Sequence, residues 1–216
     1  MTERGYFLTF EGLDGSGKTT QMRRFAERLR AEGRTVILTV EPGGTRVGSA
    51  IRAALLNPEH SMMSPTAEML LYFAARAQNV DEVLEPALGR GEVVISDRWT
   101  DSTLAYQGWG RGLGEEMVAN LDRVACRGRK PHATFWIDVP LEKSLGRARG
   151  RNVETASQET RMDDQHQRFY ELVEEGYRHL AASEPERVLR VDGDGTLEEV
   201  EARVWAAWES WVARNV

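Results

Sequence analysis

Tyr6-Phe7-Leu8-Thr9-Phe10 is a short apolar run that passes through Glu11 into Gly12-Leu13-Asp14-Gly15-Ser16-Gly17-Lys18-Thr19-Thr20. The second part fits the pattern of glycine, four residues, then glycine-lysine-threonine, and it lies between a strand-like run and a helix-like one. That context matters more than the letters. Glycines let the backbone curl so that successive N–H groups converge on phosphate oxygens. The helix that follows brings the partial positive charge of its N-terminus to the same point. Lys18 is placed to reach β- and γ-phosphates, and the Thr19 hydroxyl to ligate Mg2+. The stretch therefore predicts a nucleoside triphosphate cradle over Gly12 to Thr20. Taken alone it does not separate a kinase from a GTPase or a motor ATPase, although no asparagine-lysine-x-aspartate guanine reader occurs.

Working outward, strand-length apolar runs recur at Tyr6–Phe10, Val36–Val40, Val93–Ser96, Thr134–Val139 and Val188–Val191. Helical patterns fill Thr19–Glu32, Gly48–Leu56, Thr66–Arg90, Glu115–Arg127, Leu141–Ala148, Asp164–Ala182 and Leu197–Val212. Strand and helix alternate throughout, which predicts an α/β fold with a parallel sheet covered by helices on both faces. Two stretches break the rhythm: glycine-rich Ser102–Gly114 and arginine-rich Arg147–Arg161. With no repeat and no proline- or serine-rich linker, residues 1–216 read as one domain.

Composition narrows the function classes. Apolar residues make up 41% and charged ones 29% of the 216, which suits a globular chain and argues against disorder. A net charge of −6 argues against binding along a nucleic-acid backbone. Cys126 is the single cysteine, so no internal disulfide or cysteine metal site is expected. The run after the N-terminus is too short for a signal peptide, and no apolar stretch approaches membrane-spanning length. A cytoplasmic protein is expected. The four histidines show no metal or nucleophile spacing.

A second set of residues clusters where strands are expected to end. Glu41-Pro42-Gly43-Gly44-Thr45-Arg46 follows the second strand, with Arg52 on the next helix. Asp97-Arg98 follows the third. A carboxylate at such a strand end can hold Mg2+ through water, the alternative being a plain Asp97–Arg98 surface pair. Arginine forks donate two parallel hydrogen bonds to one phosphate, so Arg52, Arg76 and Arg98 are candidates for a second anion site. Tyr72 and Arg76 are four apart and share a helix face, where they are placed to sandwich a base. Tyr72 as core and Arg76 as a solvated charge is the competing reading.

Together these motifs resemble the thymidylate kinase family. Phe10 to Gln21 is similar to its phosphate loop, and Glu41-Pro42-Gly43-Gly44-Thr45 to its second signature. Asp97-Arg98 with Ser102, Thr103 and Ala105-Tyr106-Gln107-Gly108 resembles the third, and Phe135-Trp136-Ile137-Asp138-Val139 the strand before the lid. The resemblance runs from Phe7 to about Trp208. It implies a P-loop three-layer sandwich with a five-stranded parallel sheet, and a mobile lid near 147–161. It also implies ATP, Mg2+ and dTMP as ligands, and a homodimer through helices in Thr66–Arg90 and Glu115–Arg127. By the same resemblance Tyr72 stacks on thymine, Arg76 meets its O4, and Thr103 contacts the pyrimidine edge. Tyr106 crowds the 2′ position, Asp14 meets the 3′-hydroxyl, and Arg98, helped by Arg52, holds the acceptor phosphate. Glu41, Pro42, Ser102 and Gln107 complete the expected substrate set, with Thr19 and Asp97 on the metal.

One branch of that family carries its transition-state arginine inside the phosphate loop, where this chain has Gly15. The other supplies it from the lid, where Arg147, Arg149, Arg151 and Arg161 are available. Alignment favours Arg161, with Arg149 second, although the usual aspartate-arginine-isoleucine-glutamate here reads Thr160-Arg161-Met162-Asp163. Three readings compete with this one. A kinase for another monophosphate would lack the Tyr72, Arg76, Thr103, Tyr106 set. A deoxynucleoside kinase would cast Glu41 as base. A nucleotide-dependent switch would turn ATP over slowly.

Overall fold

The computed structural model describes residues 5–155 (151–155 through their backbone), 161–162 and 165–215. Five parallel strands form the middle layer: β1 (Phe7–Glu11), β2 (Val36–Val40), β3 (Val93–Asp97), β4 (Ala133–Asp138) and β5 (Val188–Asp192). Their order is β2-β3-β1-β4-β5, so β1, which leads into the phosphate loop, is central. All five of its residues are buried, as are all five of β3. This is why both read as unbroken apolar runs rather than alternating ones.

Helices α1 (Lys18–Ala31) and α9 (Leu197–Asn215) cover one face. There Phe10, Phe25, Phe135, Trp205 and Trp208 form one aromatic cluster. The other face carries α3 (Pro65–Asn79), α6 (Glu115–Cys126) and α8 (Gln167–Ser183). Phe7, Val94 and Trp99 pack there on Met69 and Phe73, while Trp136 lies against Tyr177. Helix α2 (Arg46–Leu56) starts after a Thr45 cap whose hydroxyl accepts from the Gly48 N–H at 2.9 Å.

Three boundaries differ from the sequence expectation. The segment expected to be one helix over Thr66–Arg90 divides into α3, a wide turn at Val80–Leu84, and α4 (Glu85–Gly89) with Pro86 in its first turn. Ser102–Gly114, expected to interrupt the helices, is mostly helical, as α5 (Thr100–Thr103) and a wide-turned segment, Leu104–Gly110. Its glycines serve packing: a Cβ at Gly110 would lie 2.6 Å from the Phe169 ring of α8. Finally, α7 (Leu141–Thr155) continues through Arg147–Gly150, beyond the expected end at Ala148. Arginine is a good helix former, and Gly146 and Gly150 each cost only about 1 kcal/mol. Positions 156–160 of the expected lid lie outside the described residues.

Candidate active site

The C-terminal ends of β1, β2 and β3 meet at one edge, the place where open parallel sheets bind ligands. From β1 the chain turns through Gly12, at φ 134°, where a Cβ would lie 2.5 Å from the Ile137 carbonyl. Gly15, at φ 82°, is closed in further: an added Cβ would sit 2.1 Å from the Ser144 carbonyl and 2.9 Å from the Ala148 nitrogen of α7. Helix α7 thus lies directly on the phosphate loop. A side chain at position 15 would collide with it.

Lys18 opens α1 and is buried. Its ammonium makes only long contacts, 3.4 Å to the Leu13 carbonyl and 3.4 Å to Asp14 Oδ1. Burial, and then the nearby Arg98, hold its pKa below the usual lysine value, while Asp14, Asp97 and Glu11 oppose the shift. Thr19 donates its hydroxyl to Asp97 Oδ2, so the two expected metal residues face each other beside Lys18. Among the described residues no cluster of three histidine, cysteine or acidic side chains is placed to hold a metal. Two hard oxygen donors fit Mg2+, which keeps several waters and takes its remaining ligands from phosphates.

Arg98 faces the same cleft. Its backbone has φ 71°, a left-handed conformation that costs an arginine energy. Nη2 donates to Asp14 Oδ1 at 2.9 Å and Nη1 to Ser102 Oγ at 2.9 Å. Longer contacts of 3.4 Å reach Tyr106 and Tyr177. Asp14 therefore joins both cationic heads through one oxygen, Lys18 from the loop and Arg98 from β3.

Deeper in the cleft Arg76 is not a solvated charge. It is 1% exposed, stacked near Phe73 and Trp99, and it donates to Thr100 at 3.3 Å and Thr103 at 3.0 Å. Tyr72 is half-buried on the same helix, and burial pushes its hydroxyl up to about 12. Glu41 is buried with no hydrogen-bond partner for either oxygen among the described residues. Burial, opposed first by Arg76, raises its carboxyl to about 8. Arg52 donates to the Pro42 carbonyl at 3.0 Å. Ser16 Oγ and Arg76 Nε are likewise buried without partners among the described residues. Orphaned polar atoms concentrated in one cleft are what a polar ligand would satisfy.

Two expected residues stand elsewhere. Gln107 is buried and donates to Glu68 at 2.7 Å. Arg161 is 4% exposed, with Nη1 on Glu68 at 2.7 Å and Nε on the Leu55 carbonyl; none of its contacts is with the phosphate loop. Arg147 and Arg149 are exposed on α7, and the Arg147 Cβ would lie 3.1 Å from a Cβ on Gly15. The Arg151 side chain lies outside the described residues.

Sequence reasoning missed Glu68, Arg111, Tyr177 and Glu11. The Glu11 carboxylate accepts from the Trp99 N–H at 2.7 Å, Ser102 Oγ at 2.5 Å and Tyr177 Oη at 3.1 Å. The available signals were a charge at the end of a buried strand and Glu68 four residues before Tyr72.

A phosphate loop facing an arginine-lined cleft on a five-stranded parallel sheet defines a P-loop nucleoside monophosphate kinase. The profile of the family described as Thymidylate kinase matches residues 10–204. The chain is 46% identical over 201 residues to the thymidylate kinase of Syntrophotalea carbinolica, covering 93% of each. It is 45% identical over 203 residues to that of a Synechococcus strain, covering 94% of each. The crystal structure of thymidylate kinase from Ehrlichia chaffeensis superposes with a TM-score of 0.76 at 30% identity, over 95% of this chain and 98% of that one. The chain belongs to the thymidylate kinase family.

Proposed function

We propose that the protein transfers the γ-phosphoryl group of ATP to dTMP, giving dTDP and ADP and so supplying dTTP synthesis. One observation carries the reading. Asp14 fixes the donor-side Lys18 and the acceptor-side Arg98 through the same oxygen, 3.4 Å and 2.9 Å away, so two anion sites face one cleft.

Phosphoryl transfer asks mainly for alignment and charge stabilisation. Main-chain amides of Gly12 to Thr20 and the Lys18 ammonium hold the ATP phosphates. Arg98, with Arg52 near the turn at Pro42, holds the dTMP phosphate. Its oxygen is already anionic, so no strong general base is needed and Glu41 has no proton to take from it. Thr19, and Asp97 through water, would hold Mg2+, which would supply neutralisation of phosphate charge. Tyr72 stacks on thymine, while Arg76 and Thr103, already bonded to each other, present donors to its edge. Tyr106, whose ring lies 5.1 Å from the Arg98 guanidinium, is assigned to crowd the 2′ position.

Transition-state charge is met from the lid side, because α7 over Gly15 leaves no room for a loop arginine. Arg147 and Arg149 on α7 and Arg161 beyond it are the assigned groups, and Arg161 must exchange Glu68 for phosphate to act. The chain is read as a cytoplasmic homodimer with no nucleic-acid partner. Exposed Leu70 on α3 and Met117 and Val124 on α6 support that dimer face, and the net charge of −6 supports the reading of no nucleic-acid partner. Among the described residues no helix is long and apolar enough to cross a membrane.

The test is a coupled ADP-release assay with ATP and Mg2+, run with dTMP, with thymidine, with another monophosphate, and with no acceptor. Rapid release only with dTMP is expected. Release with thymidine in place of its monophosphate, or equal release without acceptor, would overturn the proposal.

A further inference from the structure

Glu68 is fully buried on α3, four residues before Tyr72, and of the groups assigned to phosphate it touches Arg161 alone among the described residues. Its carboxylate gathers four donors. Arg111 meets it as a fork, Nε on Oε1 at 3.2 Å and Nη2 on Oε2 at 3.0 Å. Gln107 adds a bond to Oε1 at 2.7 Å, and Arg161 Nη1 lies 2.7 Å from Oε2.

The charges do not balance. One carboxylate faces two guanidiniums, and only one of these is needed. The Arg111 fork alone gives each oxygen a charged donor, the strongest geometry available to the pair. Arg111 is also fixed from outside, by Gln165 at 2.6 Å and by the Phe169 ring at 4.8 Å. Arg161 is the surplus cation. Among the described residues its guanidinium reaches, apart from Glu68, a single carbonyl, that of Leu55, and its Nη2 is buried with no partner. A buried cation left partly unpaired is costly, and an arriving phosphate offers it a better partner. The next residue, Met162, packs in one cluster with Leu13, Tyr72 and Tyr106, which puts Arg161 beside the acceptor side of the cleft.

We infer that the Glu68–Arg111 pair is a holding site for Arg161, one that keeps the guanidinium beside the cleft and yields it to nucleotide phosphate. Glu68 is a positioning residue that makes no contact with the nucleotide. In the exchange one N–H···O bond to Glu68 Oε2 is replaced by one to a phosphate oxygen, and Glu68 keeps its fork with Arg111. The inference rests on the assignment of Arg161 to phosphate given above. Its consequence is restraint: while Arg161 is held, ATP without an acceptor is hydrolysed slowly.

The experiment measures ATP hydrolysis without dTMP and phosphoryl transfer with it, for the parent, Glu68→Gln, Glu68→Asp, Arg161→Ala and the double variant Glu68→Gln/Arg161→Ala. Glu68→Asp keeps the charge for Arg111 but withdraws it from Arg161, and it carries the test should Glu68→Gln fail to fold. Acceptor-independent hydrolysis should rise about threefold or more in both Glu68 variants, the effect of releasing one charge-assisted bond. Removing Arg161 should cancel the rise. No rise, or a rise that persists in the double variant, overturns the inference and leaves Glu68 a brace within the fold. Failure of the underlying assignment has its own signature: Arg161→Ala would then transfer phosphate to dTMP at the parent rate. Failure of the kinase reading would instead appear as no dependence on dTMP in the parent.

Discussion

Gly15→Ala tests whether α7 rests on the phosphate loop. The new methyl carries two costs. At φ 82° a residue with a Cβ adopts a left-handed conformation at about 1–2 kcal/mol. The methyl would also lie 2.1 Å from the Ser144 carbonyl and 2.9 Å from the Ala148 nitrogen, both backbone atoms, so α7 or the loop must shift. Overpacking of that kind costs roughly 1–3 kcal/mol. The loop is tied through Glu11 and Lys18 into the central sheet, whereas α7 buries only Ser144 and Ala148 among its described side chains, with Leu141 and Leu145 half-buried. Helix α7 should therefore yield, carrying Arg147 and Arg149 away from the transferred group. The conformational part should lower the melting temperature by about 2–8 °C, at roughly 2–4 °C per kcal/mol for a chain of this size. The displacement should lower dTMP-dependent turnover by about tenfold or more, each tenfold being about 1.4 kcal/mol of barrier. Gly33→Ala is the matched control: it has φ 86°, nothing within 4 Å of its Cβ, and no place in the site. It should show the melting shift at parent activity. Parent-like turnover in Gly15→Ala would refute the packing argument.

Three further outcomes are expected. Lys18→Ala should reduce transfer by at least about a hundredfold, because the group lost is a preorganised charge on the phosphates; appreciable residual turnover in the coupled assay would contradict the loop assignment. Asp97→Asn, which leaves the Thr19 hydroxyl with a neutral partner, should raise the Mg2+ concentration for half-maximal rate by about tenfold. Stability without ligand should fall as pH rises from 4.5 to 8. Glu41 keeps its proton to about 8 when folded and loses it near 4.5 when unfolded, so the folded state binds more protons across that window. The Glu41 contribution to the slope is at most about 1.4 kcal/mol per pH unit, and urea melts across the window should show the slope reduced by that contribution in Glu41→Gln.

Much of this architecture was legible because the phosphate loop and the strand runs are local signals. Glycine, lysine and threonine at fixed spacing after β1 state their chemistry without reference to distant residues. The arginines were legible as candidates, and what they lacked was a partner. Nothing at Arg98 announces that it meets Asp14, and nothing at Arg76 announces that it is buried between Phe73 and Trp99. Those facts come from the strand order β2-β3-β1-β4-β5, which brings residues 14 and 98 together across two strands. Arg161 shows the limit most clearly. Its place in the motif suggested phosphate, while its partner, Glu68, lies on a helix far back in the chain. A run such as Gly146 to Gly150 misleads in the other direction, since glycine lowers helical preference without forbidding a helix.

The bond between Glu11 and Tyr177 has a bearing on how the chain is assembled during synthesis. The residues of the triphosphate cradle are among the first to be made, yet the carboxylate at its base is closed off only when residue 177 arrives. Until then Trp99 and Ser102 have no aromatic hydroxyl to share that acid with, and the acceptor half stays unfinished. The strand that leads into the cradle likewise waits for its two neighbours, β3 and β4, which end at residues 97 and 138. The order of translation itself delays the moment at which the protein can act.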